Sequence, residues 1–119
     1  MSSALSDPAD TLALALARAE AGVADAAAQL AAIAESTALV PDDEHDAEGA
    51  TIGYERARLR SLLTRAEAEV RELQDAAIRL SDGSYGRCTA CGAAIADERL
   101  AALVSTPLCL TCAAARDRR

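Results

Sequence analysis

DGSYGRCTACGAAIADERLAALVSTPLCLTC, residues 82–112, contains every cysteine of the chain in the spacing Cys88-x2-Cys91-x17-Cys109-x2-Cys112. Two CxxC pairs about 15–20 residues apart form a zinc-finger pattern. Two intervening residues let both sulfurs of a pair face one tetrahedral ion, at about 2.3 Å each. Gly92 follows Cys91 directly, which suits a knuckle whose backbone amides turn towards the thiolates. Four thiolates complete the coordination, so Cys88, Cys91, Cys109 and Cys112 are expected to hold one structural Zn2+ with no open position for catalysis. The sole histidine, His45, lies in a distant segment and adds no ligand. A disulfide framework needs an oxidising compartment, and a redox-active CxxC normally opens a helix in a βαβ setting. Neither setting is visible here. A zinc-thiolate cluster that releases its metal on oxidation stays open as an alternative.

Upstream of this stretch the pattern is helical. Leu12, Leu16, Ala19, Val23, Ala26, Leu30 and Ile33 recur at alternating spacings of four and three, a heptad seam on one helix face. Ser6 or Asp7 is placed to cap that helix, with Pro8 in its first turn and Pro41 as its stop. Gly22 is a weak point within it, worth about 1 kcal/mol against alanine. A second seam runs Leu59, Leu63, Ala66, Val70, Leu73, Ala77 and Leu80, and Asp82-Gly83 provides a C-terminal stop. Between the seams, residues 41–50 read PDDEHDAEGA, with five acids and no large apolar residue, which predicts a turn. Two helices of about 28 residues span roughly 40–45 Å each and, joined by a short turn, pack antiparallel as a hairpin. The expected fold is therefore mostly α: residues 1–81 a coiled-coil arm with an acidic tip at 41–50, and residues 82–119 a four-cysteine zinc finger with a short C-terminal helix. A generic hairpin or half of a dimeric coiled coil shares the same seams; a monomer is expected.

Composition narrows the function. Hydrophobic residues make up 51% of the 119, but alanine dominates them, and Tyr54 and Tyr85 are the only aromatics. Alanine buries little area, so a core built from it is thin and a small chain of this kind needs a staple such as a metal. Formal net charge is −7, and all 12 basic residues are arginine. A free-standing nucleic-acid binder is normally basic, because phosphate neutralisation supplies most of its affinity. Direct sequence-specific DNA binding is not expected, whereas a positively charged protein surface is a suitable partner. No apolar run reaches the roughly 20 residues of a membrane span, no secretory signal is visible, and a cytoplasmic location is expected.

The run Asp82-Gly83-Ser84-Tyr85-Gly86-Arg87-Cys88-Thr89-Ala90-Cys91-Gly92, followed by Ile95, Glu98-Arg99-Leu100 and Cys109-x2-Cys112, resembles the DksA/TraR family of bacterial zinc-finger regulators. The resemblance is close over residues 82–112, and the preceding hairpin agrees in length and order. It implies a transcription regulator that binds RNA polymerase. The coiled coil enters the secondary channel, the acidic tip approaches the active centre, and the zinc finger stays at the rim. Guanosine tetraphosphate at the polymerase interface is part of that picture. The tip residues are Asp42, Asp43, Glu44 and Asp46, with His45 among them. Asp43 and Asp46 match the spacing of the family's Asp-x-x-Asp-x-Ala tip, with Glu48 in place of the alanine. Val104 takes the place of the proline that often follows the family's Arg-Leu pair, and Pro107 comes later.

The residues give no nucleophile–base pair, no open metal site and no phosphate-cradling glycine loop, so the chain is not expected to be an enzyme. The other functions compatible with it are a zinc-stabilised hairpin that pairs with some other protein and a zinc-thiolate redox sensor. Arg79, Arg87 and Arg99 are read as phosphate contacts or as charges that balance the thiolate cluster.

Overall fold

Asp7 opens the first helix. Its carboxylate accepts the Ala9 backbone N–H at 3.0 Å, and its carbonyl accepts that of Thr11 at 3.0 Å, satisfying donors that a helix start leaves free. The computed structural model describes residues 7–38 and 46–118, which form α1 (Pro8–Ala38), α2 (Asp46–Asp82), α3 (Asp97–Ala102) and α4 (Leu110–Asp117). Among the described residues the only β pairing is an isolated antiparallel bridge between Arg87 and Ala94. The chain forms two compact units, Arg18–Glu69 and Met1–Ala17 with Val70–Arg119.

The two long helices pack as the expected hairpin, and the heptad reading locates their shared seam. Of the seven positions read in α1, Leu12, Ala19 and Ala26 are buried, and Leu16, Val23, Leu30 and Ile33 are partly buried. Gly22 lies on the same face, where an added Cβ would meet that of Ala66 at 3.8 Å. In α2, Leu59 and Leu73 are 1% and 2% exposed, which makes them the best-buried large side chains of the hairpin.

Two expectations need correction. The buried alanine near the end of α2 is Ala76, fully covered, and Ala77 is exposed. Helix α2 has two neighbours here. Arg79 donates from its guanidinium to the Ser105 carbonyl at 3.2 Å, so a loop lies against the helix on the Arg79 side. At 100° per residue, Ala76 falls at the edge of the seam on the Arg79 side. The second correction concerns residues 46–50, read as part of a turn, which are the first residues of α2. Acid-rich sequence suits a helix start as well as a turn, since the N-terminal end of the helix dipole favours negative charge. The rest of the acidic stretch, from Pro41 to His45, lies outside the described residues.

Gly83 ends α2. With φ at +86° it adopts the left-handed conformation that other residues rarely take, and the Ser84 and Tyr85 N–H groups both return to the Arg79 carbonyl, at 2.9 and 3.0 Å. Such a closure satisfies carbonyls that a helix end leaves unpaired. Asp82 sits at the unfavourable end of the helix dipole for a carboxylate. The Ser84 hydroxyl, and then the Ser84 N–H, bond to its Oδ1 at 2.6 and 2.9 Å and hold its pKa below the ordinary carboxylate range.

Candidate metal centre

The first CxxC pair is delivered by a tight hairpin. Cys88 donates its N–H to the Ala93 carbonyl at 2.8 Å, and Ile95 donates to Gly86 at 2.7 Å, on either side of the Arg87–Ala94 bridge. The chain reverses at Gly92, whose φ is +79° and whose N–H reaches the Cys88 carbonyl at 2.9 Å. A side chain at Gly92 would meet no steric obstacle, as nothing lies within 4 Å of an added Cβ, so its glycine is required by backbone conformation alone. The sequence placed a knuckle at this glycine, and the knuckle is there.

The second pair opens a helix. Cys109 is the N-cap of α4, its Sγ accepts the Cys112 N–H at 3.5 Å, and its carbonyl accepts that of Ala113 at 2.9 Å. The four thiols converge, all Sγ atoms lying within 4.8 Å of one another. Those of Cys91 and Cys109 are 3.8 Å apart. In a tetrahedron with zinc–sulfur bonds of about 2.3 Å, the sulfurs stand about 3.8 Å apart, so the donor set has the size and chemistry that Zn2+ requires. Cys88 is buried, Cys91 exposed, and Cys109 and Cys112 are in between.

Electrostatics explains why a cation belongs there. Backbone N–H groups, led by that of Cys109, lower the Cys88 thiol to about 6. Hydrogen bonding with the Cys109 side chain first, then with those of Cys88 and Cys91, pushes Cys112 up to about 12. One thiolate therefore forms readily, while the last is opposed by sulfurs already gathered around it. A divalent cation removes that opposition and takes all four as thiolates.

A loop from Leu103 to Leu108 joins α3 to Cys109, and sequence reasoning missed how firmly it is fastened. Arg99 Nε donates to the Leu108 carbonyl at 2.9 Å, and its terminal nitrogen reaches Thr106 Oγ1 at 3.4 Å. The Tyr85 hydroxyl donates to the Val104 carbonyl at 2.7 Å, and Arg79 holds Ser105 as described above. Burial raises the pKa of Tyr85, which keeps that hydroxyl a donor. The Thr89 N–H, inside the first knuckle, donates to the Pro107 carbonyl at 2.8 Å. Tyr85 and Arg99 stood in the sequence motif as letters only; a polar side chain beside a short helix and a Thr-Pro pair was the available signal. Of the three arginines read as phosphate contacts or charge balance, Arg79 and Arg99 bond loop carbonyls, and Arg87 donates to the Gly92 carbonyl at 3.3 Å. Beside the loop is a pocket of about 440 Å³ whose charged lining is Glu72, Asp75, Arg79, Arg99 and Arg116.

The tip residues Asp42, Asp43 and Glu44 lie outside the described residues, and Asp46 is the first residue of α2.

With the four-thiol geometry in place, comparison with known proteins decides the finger. A family model described as the prokaryotic dksA/traR C4-type zinc finger matches residues 83–118. Over residues 83–118 the chain is similar to the DksA/TraR C4-type zinc finger. The finger takes one structural zinc ion, for which the cysteine cluster is sized. The fold likeness extends further than the finger. The solved structure of transcription factor DksA2 from Pseudomonas aeruginosa is similar at a TM-score of 0.75 and 24% identity, over 92% of this chain and 80% of that one. A search of curated protein sequences finds no match. Among the described residues no helix is long and apolar enough to cross a membrane.

Proposed function

We propose that this chain is a cytoplasmic transcription regulator that acts by binding RNA polymerase. Cys88, Cys91, Cys109 and Cys112 ligate its zinc, residues 82–119 form the finger that seats at the rim of the secondary channel, and residues 1–81 form the arm. The arm enters the channel with Asp42, Asp43, Glu44 and Asp46 towards the active centre, where carboxylates act on the charges around the catalytic Mg2+. The observation that carries this reading is the pairing of a DksA/TraR finger with the fold of a solved transcription factor over nearly the whole chain. The net charge of −7 suits a basic protein channel better than a DNA duplex. Guanosine tetraphosphate at the interface of polymerase and the finger is part of the same reading.

The test pairs competition binding to core polymerase with transcription from one promoter, with and without the alarmone. Asp43→Asn with Asp46→Asn removes two charges with little change in shape. The double variant is expected to bind polymerase and lose most of its effect on transcription. Failure of the unaltered chain to bind core polymerase, or tight sequence-specific DNA binding without polymerase, would overturn the proposal.

A further inference from the structure

We propose that Arg99 is a positioning residue of the metal centre, setting zinc affinity by holding the loop that presents Cys109. The inference rests on ligation of zinc by the four cysteines and adds to it a residue that touches no thiol. Arg99 is partly buried and bonds two atoms of the loop, the Leu108 carbonyl at 2.9 Å and Thr106 Oγ1 at 3.4 Å. The same hydroxyl donates to the Leu108 carbonyl at 3.2 Å and lies 3.4 Å from the Leu108 N–H. Arg99 and Thr106 thus fix the Leu108 carbonyl, and Thr106 its N–H as well, and the next residue is Cys109. The Thr89–Pro107 bond carries the constraint into the first knuckle. The chain between the two CxxC pairs is closed by these bonds around residues that are half-buried or exposed, Ile95 apart. Among residues 97–112 none is fully buried and residues 104–109 are half-buried, so these bonds carry much of what holds the loop.

Positioning and charge balance predict different behaviour. A zinc ion with four thiolates carries two net negative charges, and any nearby cation offsets them in part. A lysine at position 99 would keep that charge but offers a single ammonium on a flexible stem in place of a planar fork. Arg116 supplies the complementary control, since it lines the same pocket and, among the described residues, pairs with Asp117 at 4.0 Å rather than with a loop atom. Outer-shell partners of a metal site typically alter affinity about 10–100-fold.

The full chain, reduced and metal-free, is titrated with zinc against a chromophoric chelator. Cobalt(II) is then substituted, so that its visible spectrum reports four-thiolate tetrahedral geometry. Arg99→Ala is expected to weaken zinc about 10–100-fold, Arg99→Lys about tenfold, and Arg116→Ala less than about threefold. The cobalt spectrum of the Arg99 variants is expected to shift from that of the unaltered chain. If Arg99→Ala does not fold, Arg99→Lys carries the comparison alone, with far-ultraviolet circular dichroism showing its helices intact. Lysine restoring full affinity, or Arg116→Ala weakening zinc as much as Arg99→Ala, would overturn positioning in favour of charge balance. An unaltered chain with neither zinc nor a four-thiolate cobalt spectrum would overturn the ligand assignment itself, and the positioning role with it.

Discussion

The units Arg18–Glu69 and Met1–Ala17 with Val70–Arg119 are stabilised by different means. The first is two helices meeting on small residues: Ala19, Ala26 and Leu59 are its buried side chains, and Gly22 faces Ala66. Its stability is spread along backbone hydrogen bonds and a thin apolar seam. In the second, the finger buries only Cys88 and Ile95, and it relies on a thiol cluster and a few hydrogen bonds that fasten one loop. Burying one isoleucine contributes about 1.5–3 kcal/mol, whereas ordering backbone opposes folding by about 1–2 kcal/mol per residue. A thin seam tolerates this arithmetic because helical bonds accompany it; an irregular finger does not. The lesson is that metal and alanine are alternative answers to the same shortage of large apolar residues.

Removing the metal should break the comparison most completely. Zinc binding by finger peptides amounts to about 10–16 kcal/mol at neutral pH, and in such modules it is folding free energy. Cys91→Ser, or a strong chelator under reducing conditions, is expected to unfold residues 84–118 and leave most of α1 and α2 helical. Hydrogen exchange resolved by segment, beside helical circular dichroism, reads both halves of that statement. Loss of the helices together with the finger would mean that the two units are not independently held.

The seam can be attacked next. Leu59→Ala opens a cavity in the unit that has no metal and is expected to destabilise it by about 2–5 kcal/mol, with zinc content unchanged. Thermal unfolding of the zinc-loaded protein, with metal content measured on the same sample, makes the check. A zinc-depleted variant would show that the seam also supports the finger.

The smallest change runs in the opposite direction. An added methyl at Gly22 would meet the Ala66 Cβ at ordinary contact distance, 3.8 Å, and α1 continues regularly through that position. Gly22→Ala is therefore expected to stabilise the hairpin by about 0.5–1 kcal/mol, through lower unfolded-chain entropy and a better helix former. Equal or lower stability in denaturant titration would show that the helices need the glycine for closer approach than their backbones reveal.

How far the sequence could be read follows the same division. Periodic features were legible: all seven seam positions of α1 are buried or partly buried, and the cysteine spacing located a cluster whose sulfurs converge. Where one element has two neighbours, periodicity fails. Ala76 and Ala77 both fit the repeat, and the loop fastened to Arg79 lies on the Ala76 side of the helix. The start of α2 at Asp46 escaped notice because acidic residues favour helix starts and turns alike. The fastening of that loop by Tyr85 and Arg99 was illegible for a further reason. Side-chain bonds to distant carbonyls have no sequence period, and an arginine near thiolates reads first as a charge.

One consequence of the aromatic poverty of this chain is optical. With no tryptophan present, tyrosine is the sole emitter, and each compact unit contains one. Tyr54 is 80% exposed on α2, whereas the Tyr85 hydroxyl is bound to the Val104 carbonyl of the loop that leads to Cys109. Solvent already surrounds the first ring, so withdrawal of zinc should alter emission through the second. Tyr54→Phe would then leave a protein with a single tyrosine emitter, bonded to the loop that leads to Cys109.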